Sequence, residues 1–343
     1  MKSRSEIYCL QAGRGVAACL VVLFHINGMV SSPQYWDKKI LFDVFKFGHA
    51  GVEFFFVLSG FIMTLIHWKD IDKPEKVYSF AIKRVIRIYP IYWIVTISVL
   101  LLYVISGNDR SSLIYNSLLL IGSDSQSVLA VGWTLFHEIA FYLVFGILIF
   151  SKRIGIIVSC SWVALIVFGR FFGLDHYSLQ LININFLFGI GSAIYFNRIR
   201  YARTMMLLSV FCFIMIGLEE VYLEVVEAEF RSIMYGLASA FGIAAAVSAE
   251  KAKSISSPYI MRLLGDSSYS LYLVHYPVIA IVAQIWLKSP VKSLPMPIAF
   301  VVLIAAALAA GLVTYFAVEK PIVLFVNKRM MKYRAEPGSR HQV

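Results

Sequence analysis

Residues 47–67 read FGHAGVEFFFVLSGFIMTLIH, an apolar run broken by a single carboxylate, Glu53. A bilayer-crossing helix needs about 20 mostly apolar residues, and this stretch has that length. Working outward, further runs bounded by charge or turn residues lie near 12–31, 87–106, 128–150, 154–173, 178–197, 204–219, 231–249, 267–287 and 297–318. The predicted fold class is therefore all-α, a polytopic transmembrane helix bundle of about ten spans. Residues 1–320 read as a single transmembrane domain and 321–343 as a short basic cytoplasmic tail, polar and disordered from 334 onward. The segment 111–122 is apolar but too short to cross, which suits an interfacial or re-entrant piece.

Composition supports this reading. The chain has 343 residues, 59% hydrophobic and 15% charged, against roughly 25% charged in soluble proteins. What lies between the spans is spread too thinly for a separate soluble domain. A soluble enzyme is excluded, and so is an anchor carrying an extramembrane catalytic domain. The net charge is +11, from 31 Lys and Arg against 20 Asp and Glu. In a soluble protein that balance would suggest nucleic acid. Here the segments 1–11, 68–86, 151–153, 198–203, 250–266 and 319–343 carry most of the cations, while Glu219, Glu220, Glu224, Glu227 and Glu229 crowd an opposite loop. The positive-inside rule then sets both termini in the cytoplasm, and no nucleic-acid partner is implied. The basic N-terminus precedes an apolar run without a small-residue cleavage site, so it reads as a retained first span. Cys9, Cys19, Cys160 and Cys212 are scattered and form no disulfide framework.

Ionisable groups inside a span are costly, which makes them functional candidates. Arg14 and His25 are eleven positions apart, about 17 Å along one helix and within roughly 20° of one face. An imidazole at that depth can serve as a general base at neutral pH; a buried structural histidine and a snorkelling arginine would leave the same pattern. His49, Glu53, Phe56 and Gly60 share a helix face in the second span, where a carboxylate calls for a cation, a proton or a polar cavity. Lys83, Arg84 and Arg87 precede Tyr89 and Pro90. Arg84 and Arg87 are one turn apart and can grip a phosphate, although a membrane-anchoring cluster looks the same. Glu138 and Tyr142 are one turn apart within 132–142. Ser268, Tyr272 and His275 share a face ahead of Pro277. The four span histidines lack close-spaced ligand partners, so the sequence neither demands nor excludes a metal, and none is predicted. Walker, dinucleotide and Gly-x-Ser-x-Gly signatures are absent from the sequence.

Taken together, these segments resemble the acyltransferase family 3 membrane proteins, which modify bacterial surface glycans. The resemblance covers nearly the whole chain. It rests on Arg14 and His25; on Phe55, Phe56, Ser59, Gly60 and Phe61, with Gly51-Val52-Glu53 before them; and on Arg84 and Arg87 followed by Tyr89-Pro90. It continues through Trp133, Thr134, Leu135, Glu138, Phe141 and Tyr142, the run from Ser268 to Pro277, and Glu319-Lys320-Pro321. Thr134 replaces the commoner serine and keeps a hydroxyl. The wording is closest to the exopolysaccharide and O-antigen O-acetyltransferase branch. Some members carry an added periplasmic hydrolase-like domain; none is expected here.

The resemblance implies an integral enzyme of the bacterial inner membrane that moves an acyl group, in the first instance acetyl from acetyl-CoA, to a sugar hydroxyl. The acceptor is an exported polysaccharide or its lipid-linked precursor, and a polysaccharide-synthesis complex is a further partner. Expected catalytic residues are His25, Glu138 and Arg14. Arg84, Arg87 and Lys83 would hold the donor, and Glu53, Ser59, Trp133, Tyr142, Tyr269 and His275 would meet the acceptor. The rival reading is a transporter or flippase of a lipid-linked saccharide, since intramembrane charges also line pathways. It lacks support from paired half-repeats.

Overall fold

The computed structural model describes residues 7–38, 41–108, 110–120, 127–172 and 183–335. In chain order the helices are α1 (Tyr8–Ser31), α2 (Ala50–His67), α3 (Val77–Ile105), α4 (Ile114–Leu119), α5 (Trp133–Phe150), α6 (Lys152–Phe171) and α7 (Asn185–Tyr195). They continue as α8 (Ala202–Tyr222), α9 (Ala228–Lys251), α10 (Tyr259–Asp266), α11 (Ser268–Lys288), α12 (Met296–Thr314) and α13 (Lys320–Ala335). There is no strand among the described residues. Lipid cannot satisfy backbone groups, so apolar sequence of this length folds as helix.

Nine described helical stretches are long and apolar enough to cross a bilayer, and the chain is a multi-pass membrane protein. These stretches coincide with nine of the ten expected spans. Of the predicted span 178–197, positions 178–182 lie outside the described residues, and the helix that follows, α7, has 11 residues. The segment 111–122 folds, as far as it is described, into a 3-10 turn and the six-residue α4. Positions 336–343 of the predicted tail also lie outside the described residues.

The chain forms two interleaved compact units. The first comprises Met1–Leu65 and Ile184–Leu312, the second Ile66–Asn183 and Val313–Val343. In the first unit α1 is central. Its Ala18, Val22, Ile26, Met29 and Val30 pack with Leu271 and Ile279 of α11 and Phe300 and Leu303 of α12. The N-terminus of α1 has no cap of its own. Instead Glu250 of α9 accepts from the Tyr8 and Cys9 backbone N–H groups at 2.8 and 2.6 Å, satisfying two orphan donors and opposing the helix dipole. Helices α2 and α7 meet through Gly60 and Gly189. A Cβ at Gly60 would overlap the Phe186 carbonyl, and one at Gly189 the Val57 carbonyl, so only glycine permits that backbone approach.

In the second unit α3 carries Pro90 within its length. Phe80 of α3 stacks on Phe145 of α5 at 5.8 Å. Trp93 donates through Nε1 to the Leu118 carbonyl at 2.8 Å, tying α4 to α3. A π-helical turn, Tyr315–Glu319, joins α12 to α13.

Candidate functional site

Three groups of polar side chains survive inside these helices. The first is centred on His25. It is carried by α1, whose Val22, Ile26 and Met29 lie in the core of the first unit. Its ring is surrounded by rings: Phe24 at 5.0 Å, His275 at 5.1 Å and Tyr276 at 5.2 Å between centroids. His275 on α11 is fully buried. Its Nδ1 lies 3.1 Å from the Leu271 carbonyl oxygen, and Tyr272 is 5.8 Å away, ring to ring. Arg14, lower on α1 and partly buried, donates to Gln11 Oε1 at 3.3 Å. Ser268 and Tyr272 are buried on α11 as the shared face requires. Tyr269 and Ser59 are partly buried.

The second group, also in the first unit, is built on His49. Its Nε2 donates to Glu220 Oε1 at 2.9 Å, and its Nδ1 lies 3.8 Å from Glu53 Oε2. Tyr235 Oη donates to Glu220 Oε2 at 2.9 Å. Arg231 adds ion pairs to Glu219 at 3.3 Å and Glu220 at 3.4 Å. The i, i+4 spacing of His49 and Glu53 made half of this network legible in the sequence. The other half was missed, because Glu220 reads as part of an acidic loop. Helix α8 in fact runs to Tyr222, and Glu220 follows buried Ile216 by one turn, so its side chain points inward at 3% exposure. Farther out, Lys46 pairs with Glu224. The hydrogen bond and charge from Lys46 hold the exposed Glu224 carboxyl below the usual carboxylate range.

The third group lies in the second unit. The Arg84 guanidinium sits over the ring faces of Tyr142 at 5.6 Å and Phe80 at 5.8 Å, a cation–π arrangement. Tyr142 donates its hydroxyl to Glu138 one turn earlier on α5. Arg84, Tyr142 and Glu138 thus form one chain of contacts, and the buried Arg84 Nε has no hydrogen-bond partner among the described residues. Trp133 packs edge-on against His137 at 5.5 Å. Arg87 is engaged differently: it donates through a terminal nitrogen to Glu319 Oε1 at 3.0 Å. Glu319 is 1% exposed and closes the π-helical turn. Among the described residues no three His, Cys, Asp or Glu side chains are arranged to hold a metal ion.

Comparison with known proteins gives these groups a context. The sequence model of a family described as "Acyltransferase domain" matches residues 7–316. The chain is 28% identical over 302 residues to "Exopolysaccharide production protein ExoZ" of Rhizobium meliloti (strain 1021), covering 81% of this chain and 90% of that protein. It is 26% identical to "Putative peptidoglycan O-acetyltransferase YrhL" of Bacillus subtilis (strain 168), over 90% of this chain and 54% of that protein. The chain therefore spans about half the length of the Bacillus relative. No solved structure matches it.

Proposed function

The chain belongs to the acyltransferase family 3 membrane proteins, whose domain model spans residues 7–316, and from that membership we propose that it O-acylates a sugar hydroxyl of an exported polysaccharide. The donor in this reading is acetyl-CoA, presented from the cytoplasm. Both termini face the cytoplasm, in keeping with the Lys/Arg excess of the segments on that side. The acceptor class is drawn from the names of the two relatives, "Exopolysaccharide production protein ExoZ" and "Putative peptidoglycan O-acetyltransferase YrhL".

The observation that carries the reading is the setting of His25, an imidazole among apolar helices that is contacted by rings and by no carboxylate among the described residues. A sugar hydroxyl is a poor nucleophile until a base takes its proton. His25 accepts that proton as the hydroxyl oxygen forms its bond to the acyl carbon, then returns it to the departing sulfur as the C–S bond breaks. Acyl-CoA supplies the activated thioester. Arg14, on the same face of α1, guides the acyl arm toward His25. Glu53, whose Oε2 has no hydrogen bond among the described residues, accepts from sugar hydroxyls. Trp133, Tyr142, Tyr269 and Ser59 suit stacking on, or hydrogen bonding to, the sugar. Glu138 orients through its bond to Tyr142.

The cations present fit an anionic donor unequally. Arg84 has a buried Nε without a hydrogen-bond partner among the described residues and suits a phosphate, with Lys83 beside it on α3. Arg87 has its charge offset by Glu319, so it contributes mainly by holding that carboxylate and α13 to α3.

Purified chain given radiolabelled acetyl-CoA should release free coenzyme A and label a polysaccharide acceptor only when that acceptor is added. Rapid stoichiometric labelling of the protein alone would replace direct transfer with an acyl-enzyme. In cells, loss of the gene should leave surface polysaccharide exported and lacking acyl groups by mass spectrometry. Loss of the polysaccharide itself would favour a transporter.

A further inference from the structure

His275 lies at the centre of this arrangement without a defined task. It is 0% exposed. Its Nδ1 is 3.1 Å from the Leu271 carbonyl oxygen, one turn earlier on α11. A carbonyl only accepts, so Nδ1 carries a proton. With no ion pair to His275 among the described residues, the ring holds that one proton, and Nε2 is a bare acceptor. That atom is buried and has no hydrogen-bond partner among the described residues. Buried acceptors are rarely left unmet, because each loses its water without recompense.

The ring next to it is His25, 5.1 Å away between centroids and tilted by 42°. At that separation the edges of two imidazoles come within hydrogen-bonding reach once their nitrogens face each other. Tyr276 stands edge-on to His25 at 5.2 Å and 79°, which closes one side of the ring and limits how far it can turn.

We propose that His275 is a positioning residue for His25: its Nε2 accepts an N–H from His25, fixing one nitrogen as donor and turning the other, unprotonated, toward the acceptor hydroxyl. This rests on the reading of His25 as the base. A base of undefined tautomer presents its lone pair only part of the time, so a partner that fixes the tautomer raises turnover without touching substrate. His275 then has no contact with the sugar, in contrast to the acceptor-binding role that the family resemblance suggests for it.

The test compares His275→Leu, which fills the space without an acceptor, with His275→Gln, which restores one. His275→Leu should lower kcat about 100-fold with KM for donor and acceptor within about twofold of the parent, and His275→Gln should recover most of that loss. A rise in KM for the acceptor with kcat preserved would overturn the proposal, as would equal loss in both variants. Should His275→Leu fail to fold, His275→Gln against the parent still decides: near-parental kcat supports the proposal, and a full loss sinks it. A second readout does not depend on transfer. In 15N-histidine NMR of the full chain in nanodiscs, His25 should show one fixed tautomer in the parent and in His275→Gln, and a mixture in His275→Leu. An unchanged His25 spectrum in His275→Leu would overturn the positioning role even if the chain proved inactive as an acyltransferase. Parental inactivity with the predicted spectra would instead count against the acyltransfer reading alone.

Discussion

Phe24 touches two histidines of the first unit, His25 at 5.0 Å and His49 at 5.7 Å, and they are held in opposite ways. His49 is held between carboxylates, with Glu220 at 2.9 Å and Glu53 at 3.8 Å, and Tyr235 and Arg231 complete the shell. His25 has aromatic and imidazole rings around it. An imidazole committed to carboxylates is a tie between helices, here joining the start of α2 to α8 and α9. An imidazole without a carboxylate partner can take a proton from a substrate. The second unit repeats the contrast with arginines. Arg87 is paired to the buried Glu319, whereas Arg84 is cradled by Tyr142 and Phe80. In both units the carboxylate-paired group reads as structural and the ring-held one as available for chemistry.

This contrast can be broken by exchanging roles. The largest effect is expected at His25: His25→Ala should lower kcat/KM by about 10³-fold in the labelled-donor assay while the detergent melting midpoint barely moves. Loss of folding with no specific loss of turnover would erase the distinction between the two histidines. Glu220→Gln should do the reverse. It removes the charge shared by His49 and Arg231 inside the bundle and should cost about 3 kcal/mol of stability, read by chemical denaturation, with turnover per folded molecule preserved.

The arginines sharpen the same point at smaller scale. Arg87→Met leaves Glu319 buried without its cation and should cost about 2 kcal/mol, moderated by solvent at the half-exposed arginine. Adding Glu319→Leu should recover most of it, a non-additivity that a double-mutant cycle measures. Arg84→Ala should instead raise KM for the acyl donor about tenfold, equivalent to ~1.4 kcal/mol, with little change in midpoint. The smallest effect is at Glu224. Its carboxyl is held below the ordinary range by Lys46, so the contribution of this pair is complete above that range and is lost as pH falls through the lowered value. Glu224→Gln should melt slightly below the parent at neutral pH and together with it in acid, and high salt should close the gap.

Much of this was legible before any coordinates. Arg14 and His25 lie on one helix at a spacing that fixes their common face, and Glu138 and Tyr142 bond across one turn because i, i+4 neighbours must meet. Glu220 was not legible. The hydropathy of α8 fades near its end amid five glutamates, and only the buried face of Ile216, Gly217 and Glu220 shows that the helix continues. The pairing of Arg87 with Glu319 was likewise hidden. Both residues stood out as motif positions, but nothing in their spacing sets one against the other.

The sequence by itself determined that this is an all-helical membrane protein with its polar residues confined to a few positions. Lipid allows no other backbone solution for such apolar runs, and each retained charge stands out against them. Only the tertiary structure decided which of those residues would be neutralised. His49 meets Glu220 across 171 positions of chain, and Arg87 meets Glu319 across 232. Helical periodicity governs neighbours a turn or two apart and says nothing about partners on other helices. Whether an imidazole or a guanidinium is a tie or a reactive group depends on those partners, and they are set by how the helices pack.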